Sequence, residues 1–214
     1  MFDVITPKGG RTFDYGLTNK KLLLKRIIIM NKKALVLLAP GFEEIEAVTA
    51  IDILRRAEIE VIVCAVSTEK LVKASRGTKI EADILFDNFK GEVDCVVLPG
   101  GGGGAENLAA SSKVITLLER TEKAGKLIAA ICAAPAHVLV PAGIIGGREI
   151  TCYPEFKDNI EVQGIYRDKP VVISGNLITS QGVGTAIDFA LAIVECLEGP
   201  DKATAIKKAI LYNH

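Results

Sequence analysis

Short, unbroken apolar runs recur along this chain, each bounded by glycine, proline or charge and followed by a stretch of helical periodicity. They lie at residues 34–39, 61–66 and 127–131, and within 94–98 after Asp94. A run of four to six apolar residues without polar alternation is the pattern of a strand buried on both faces. Helical patterns follow at 43–57, 114–124, 185–197 and 202–211. Residues 79–84 read as an edge strand or hairpin arm. Residues 171–174 and 177–179 flank Gly175-Asn176, a two-residue hairpin signal. A strand–helix–strand rhythm places strands in parallel, because each crossover must travel back along the sheet. The predicted fold is therefore α/β, a mostly parallel sheet with helices on both faces, in one domain over residues 31–214. Ligands in such folds collect beyond the carboxyl ends of the strands. The loops there are Pro40-Gly-Phe-Glu, residues 99–104 and the corner at Cys132.

That corner carries the chemistry. In Lys126-Leu-Ile-Ala-Ala-Ile-Cys-Ala-Ala-Pro-Ala-His137 a buried strand breaks into a helix with a thiol at the bend. Ala130 and Ala134, two residues either side of Cys132, are small, as a sharp strand-to-helix turn that presents a nucleophile requires. A helix start there would favour the thiolate. A buried structural cysteine is the competing reading.

Partners for the thiol are few. Glu46 has Thr49, Ala50 and Ile53 at helical spacing, so its stripe is mostly apolar. A carboxyl on an inward stripe has a raised pKa and can exchange a proton with a thiol. Glu43 and Glu44 read as solvated acids of the helix start. The run Gly100 to Gly104 offers bare N–H groups for a phosphate or an oxyanion. It lacks the Lys-Ser/Thr of a phosphate loop and makes a weak dinucleotide fingerprint. The two histidines are His137 and His214. His137 lies five residues beyond Cys132, about 140° around a helix, and His214 is terminal. A Cys–His peptidase mechanism is therefore disfavoured, and Tyr153 is a poor base. Arg76 and Arg56 read as surface charges.

The remaining composition excludes more than it assigns. Lys and Arg balance Asp and Glu at 26 each and Trp is absent, so nucleic-acid binding has no support. Five scattered cysteines without a CxxC match neither a zinc site nor a disulfide framework. They indicate a reducing compartment, with the cytoplasm expected. Residues 1–30 are rich in Lys and Arg, and their apolar pieces are too short to span a membrane. They read as an extension ahead of the domain, with Met30 as an alternative start and an organelle-targeting peptide as the second reading.

Four motifs taken together resemble the ThiJ/PfpI superfamily and, within it, the DJ-1 branch. They are Ala34-Leu-Val-Leu-Leu-Ala-Pro-Gly-Phe-Glu-Glu-Ile-Glu46, Val96-Val-Leu-Pro-Gly-Gly101, Ala129-Ala-Ile-Cys-Ala-Ala-Pro135, and Thr179-Ser-Gln-Gly-Val-Gly-Thr185 leading into Phe189. The similarity runs from about residue 31 to 212. It implies a flavodoxin-like sandwich of the class I glutamine amidotransferase type, working without a cofactor or metal. It also implies a homodimer with the site near its interface. The reactive cysteine falls on Cys132, its acid on Glu46, and the oxyanion donors on the N–H groups of Gly101 and Ala133. Arg76, Arg56 and Tyr153 fall where substrate or interface residues stand. The implied activity is a glyoxalase or deglycase acting on methylglyoxal-type dicarbonyls or their early protein adducts. A redox-sensing, stress-protective protein or chaperone with an oxidisable Cys132 is the alternative. The chain departs from the pattern at Tyr153, where the branch often has His before a Pro, and at Gln181, where some relatives have Arg. Ala133 replaces the His of the protease-like members.

Overall fold

The apolar runs pair side by side in a seven-stranded sheet. The computed structural model describes residues 31–213; residues 1–30 and His214, with the readings made of them, lie outside that range. The chain runs β1 (Lys33–Leu38), α1 (Glu44–Arg56), β2 (Glu60–Ala65), β3 (Leu71–Lys73), β4 (Lys79–Glu81), β5 (Ile84–Leu85) and β6 (Cys95–Leu98). It continues through α2 (Gly102–Ala109), α3 (Ser112–Lys123), β7 (Leu127–Ile131), β8 (Glu149–Ile150), α4 (Lys157–Glu161) and β9 (Ile165–Tyr166). β10 (Val171–Ser174), β11 (Leu177–Ser180), α5 (Ala186–Glu198) and α6 (Pro200–Ala209) complete it.

Strand order is β10-β11-β7-β6-β1-β2-β5. Every pairing in this sheet is parallel except the β10–β11 hairpin. This is a mostly parallel, flavodoxin-like sandwich. Alternate residues of β1 show why its run has no polar member: Ala34, Val36 and Leu38 join the core on the side of α1 and α5, while Leu35 and Leu37 join the core on the side of α2 and α3. All five are fully buried, each large one contributing about 1.5–3 kcal/mol. From β1 the chain winds one way through β2 and the other way through β6 and β7. The crevice between the ends of β1 and β6 is thus the topological switch point, where backbone N–H groups and loops open toward a ligand.

Three details go beyond the sequence reading. The 79–84 segment divides its work: β4 pairs with β3 as a hairpin arm, and β5 is the edge strand beside β2. The glycine run opens α2, although glycine is a weak helix former. Its backbone packs on the loop after β1, with Gly101 N-terminal to the helix and Asn107 Nδ2 donating to Pro40 O at 2.9 Å. The small β8–β9 pair and α4 cover the segment that leads to Tyr153.

Candidate active site

β7 delivers Cys132 to the switch point in a strained backbone. Its φ is +64°, a left-handed value that few residues other than glycine adopt. Both sides of the bend are pinned. Cys132 N–H donates to Ser180 O at 2.9 Å, extending the β7–β11 ladder by one rung, and Cys132 O accepts from Tyr153 N–H at 2.9 Å. The chain then enters a wide π-type turn over Pro135–Leu139. Ala130 and Ala134 are fully buried, so the arms of the bend close without side chains between them.

Glu46 reaches the thiol from the first turn of α1. Glu43 caps that helix, its carboxylate accepting from Glu46 N–H at 2.9 Å, and this fixes the angle at which Glu46 points inward. The Glu46 side chain is fully buried. Its Oε2 accepts from Gly100 N–H at 2.7 Å, while Oε1 has no partner in good hydrogen-bond geometry and is turned toward the sulfur side. Gly100 is a required glycine. A Cβ there would stand 2.5 Å from Cys132 Cβ and 2.7 Å from Glu46 Oε2. Gly101 follows with φ +85°, and a Cβ on it would collide with Gly41 O at 2.3 Å. Two bare backbones therefore lie against each other, and Gly100 O accepts from Glu43 N–H at 3.0 Å.

The electrostatics of the pair follow from burial. The Glu46 carboxyl is pushed up to about 7, first by burial and further by the Glu43 charge, against the opposing pull of Gly100 N–H and Cys132. The Cys132 thiol is pushed up to about 12, first by burial and next by the Glu46 charge. The N–H groups of Gly101 and Ala133 point at the sulfur and pull it down. This reverses the expected helix-start effect. The turn after Cys132 is five residues of π-helix, too short for a strong dipole, and burial beside a carboxylate outweighs it. Above about pH 7 the pair holds one negative charge and one proton, and below it both groups are protonated.

The structure thus brings together Cys132, Glu46 and the N–H groups of Gly101 and Ala133. Tyr153 joins them: it is 45% exposed, and Cδ2 of its ring would lie 3.6 Å from a Cβ on Gly182, beside the thiol. Arg56 is not brought to this place. It lies ten residues beyond Glu46 on α1, about 15 Å along the helix, and binds Asp52 at 2.6 Å. Arg76 is exposed at the turn between β3 and β4. Its N–H donates to Glu44 Oε1 at 2.8 Å, and Ser75 Oγ donates to Glu44 Oε2 at 3.0 Å, so the turn is docked at the start of α1. Glu44 is therefore a clamp on this hairpin as well as a solvent-open acid of the helix start. The Gln181 amide donates to Asp168 at 2.7 Å. His137 turns away from the thiol and packs edge-on against Phe156, 4.5 Å between ring centres. Gly100 and Gly182 were given no individual role by the sequence, although both stand in quoted motifs. Their signal was a glycine directly after a buried strand or its first loop residue. Among the described residues no cluster of three or more His, Cys, Asp or Glu is placed to hold a metal ion, and no helix is long and apolar enough to cross a membrane.

A sequence model of the DJ-1/PfpI family matches residues 32–196. The chain belongs to the DJ-1/PfpI family. Family relatives at this similarity include Protein dj-1beta of Drosophila melanogaster, 47% identical over 184 residues, covering 85% of this chain and 98% of that protein. The glutathione-independent glyoxalase DJR-1.2 of Caenorhabditis elegans is 41% identical over 181 residues, 84% of this chain and 96% of that one. Protein DJ-1 homolog B of Arabidopsis thaliana is 43% identical over 178 residues, but this chain spans only 40% of its length. The crystal structure of Drosophila melanogaster DJ-1beta superposes with a TM-score of 0.84 at 45% identity, covering 86% of this chain and all of that one. The DJ-1/PfpI assignment bears out the resemblance read from the four motifs.

Proposed function

We propose that this protein is a cofactor-independent glyoxalase of the DJ-1/PfpI family, converting methylglyoxal-type 2-oxoaldehydes to hydroxyacids, with early glycation adducts of proteins as related substrates. The observation that carries the reading is the buried carboxyl of Glu46, held near neutral pKa beside a thiol that two backbone N–H groups also face. A thiol pushed up to about 12 is a poor free nucleophile at neutral pH. It becomes a good one when its proton leaves as the new bond forms. Cys132 sulfur bonds to the aldehyde carbon, the thiol proton passes to Glu46, and the carbonyl oxygen becomes an oxyanion beside the N–H groups of Gly101 and Ala133. The oxyanion takes the proton back to give a hemithioacetal. Glu46 then removes the hydrogen of that carbon as a proton and returns it to the neighbouring carbon through an enediol, while the hemithioacetal hydroxyl proton passes to the former ketone oxygen. The product is a hydroxyacyl thioester on Cys132. Water cleaves it, releasing lactate from methylglyoxal and restoring the thiol. The sum is methylglyoxal plus water to lactate, with no external oxidant or reductant. The relative named as a glutathione-independent glyoxalase supports this choice of reaction.

The test is lactate formation from methylglyoxal by purified protein without glutathione. Cys132→Ser and Glu46→Gln are each expected to lower kcat/KM by about 100-fold or more, the usual scale for losing a nucleophile or an acid–base group. Lactate production that survives both substitutions overturns the proposal.

One observation favours a second, redox reading. Glu46 Oε1 is a buried oxygen whose one neighbouring polar group is the Cys132 thiol. When protonated it can donate to an oxygen carried on sulfur, holding Cys132 as a sulfinate. Mild peroxide followed by mass spectrometry should then give dioxidation at Cys132 ahead of Cys64, Cys95, Cys152 and Cys196. Unselective oxidation sinks this reading. Either activity is expected from a homodimer.

A further inference from the structure

Three groups of the site converge on one point at Gly182. A Cβ placed on Gly182 would lie 3.9 Å from Cys132 Sγ, 3.9 Å from Glu46 Oε1 and 3.6 Å from Cδ2 of Tyr153. These are ordinary contact distances. The φ of 161° is extended backbone open to any residue. Neither collision nor strain therefore demands glycine here. What glycine does is leave the space between thiol, carboxyl and ring clear. The peptide is held in place, with Gly182 N–H donating to Thr185 Oγ1 at 3.1 Å and that hydroxyl donating to Gly182 O at 2.8 Å. Gly182 is itself buried, and an atom seated where that Cβ would stand is in contact with the sulfur, the carboxyl and the Tyr153 ring at once.

The chemistry of this slot is one-sided. Tyr153 supplies a flat apolar wall, tilted against Phe156 at 6.0 Å between ring centres. Glu46 supplies the negative charge. Gln181, the preceding residue, has its amide engaged by Asp168. An anionic substrate would meet a carboxylate there, whereas a neutral, flat group gains contact with the ring.

We propose that Gly182 and Tyr153 determine the substrate class at Cys132: neutral 2-oxoaldehydes with a flat apolar substituent, arylglyoxals ahead of methylglyoxal, the aldehyde passing over Gly182 and the substituent lying on the Tyr153 ring. The proposal rests on the glyoxalase reading, and its test separates the two.

The ratio of kcat/KM for phenylglyoxal over methylglyoxal is measured for the full-length protein, Gly182→Ala and Tyr153→Ala. The added methyl narrows the slot by one carbon, and the truncation removes the wall. Each is expected to lower the ratio by about tenfold, the scale on which a pocket resolves one such group. The 4-carboxy derivative of phenylglyoxal is expected to be a poorer substrate of the unmodified protein than phenylglyoxal itself. In parallel, alkylation of Cys132 with iodoacetamide and with N-phenylmaleimide is followed by peptide mass mapping, which separates it from the exposed Cys196. Gly182→Ala should slow the bulky reagent more than the small one. Ratios that stay the same in both assays overturn the slot. Alkylation ratios that shift while the unmodified protein turns over neither aldehyde support the slot and overturn the glyoxalase reading instead.

Discussion

Glu46 joins stability to chemistry at a single residue. Its carboxyl is held at about 7, against an ordinary value of 4.5, chiefly by burial. Between those values the folded protein keeps a proton that the unfolded chain has lost. The stability linked to Glu46 is thus fully present below pH 4.5 and is lost as pH rises through 7, by about 3 kcal/mol over the window. Glu46→Gln removes that slope. Urea unfolding at pH 5 and pH 8 should show the unmodified protein losing stability relative to the variant, which becomes at least as stable at pH 8. The same group has the opposite effect on rate. The proposed reaction needs Glu46 ionised to accept the thiol proton, so kcat/KM should climb as pH passes through about 7 and flatten above it. The inward stripe of Thr49, Ala50 and Ile53 had made this burial legible. The direction at Cys132 was not legible, because a thiol's pKa depends on which charges fold against it, and Glu46 is eighty-six residues away in sequence.

At the scale of elements, the buried strands were readable because burial on both faces disfavours polar residues along them; β11 admits Thr179 and Ser180 with their hydroxyls donating to Val172 O and Pro170 O. β7 begins and ends where its apolar run does. The helix opened by glycines was hidden, since α2 owes its start to backbone packing against the loop after β1 rather than to its residues' own preference. β8, β9 and α4 are two to five residues long, too short for periodicity to register. Arg56 could not be excluded from the site until α1 was seen to carry it to the opposite end. The glycine loop makes a paired prediction. Gly101→Ala forces a Cβ to 2.3 Å from Gly41 O at φ +85° and should cost about 3 kcal/mol. Gly102→Ala, one residue on, meets nothing within 4 Å at the helix start and should gain about 0.5–1 kcal/mol. Chemical denaturation of both variants checks this, and equal effects would mean that the two loops do not pack as described.

For the molecule as a whole, the outer face of α1 bears on assembly. Ile45 and Val48 are 53% and 48% exposed on the helix that carries Glu46, and Val48 shares a shallow groove of about 500 Å³ with Ile187 and Leu211. The proposed homodimer is expected to cover this face. Val48→Glu should then shift sedimentation from dimer to monomer, and a dimer that persists would place the contact elsewhere. The whole molecule also determines when the site exists at all. Fifty residues separate Cys132 from Gly182, and Cys132 N–H waits for the carbonyl of Ser180. On a ribosome adding about 5–20 residues per second, the thiol is made several seconds before the strand that pins it and the loop that roofs it. During that interval it titrates like any free cysteine, near 8.5, and is a readier target for oxidants than at any time afterwards. On the glyoxalase reading, the nascent chain, and not the finished protein, is where this cysteine is most exposed to accidental damage.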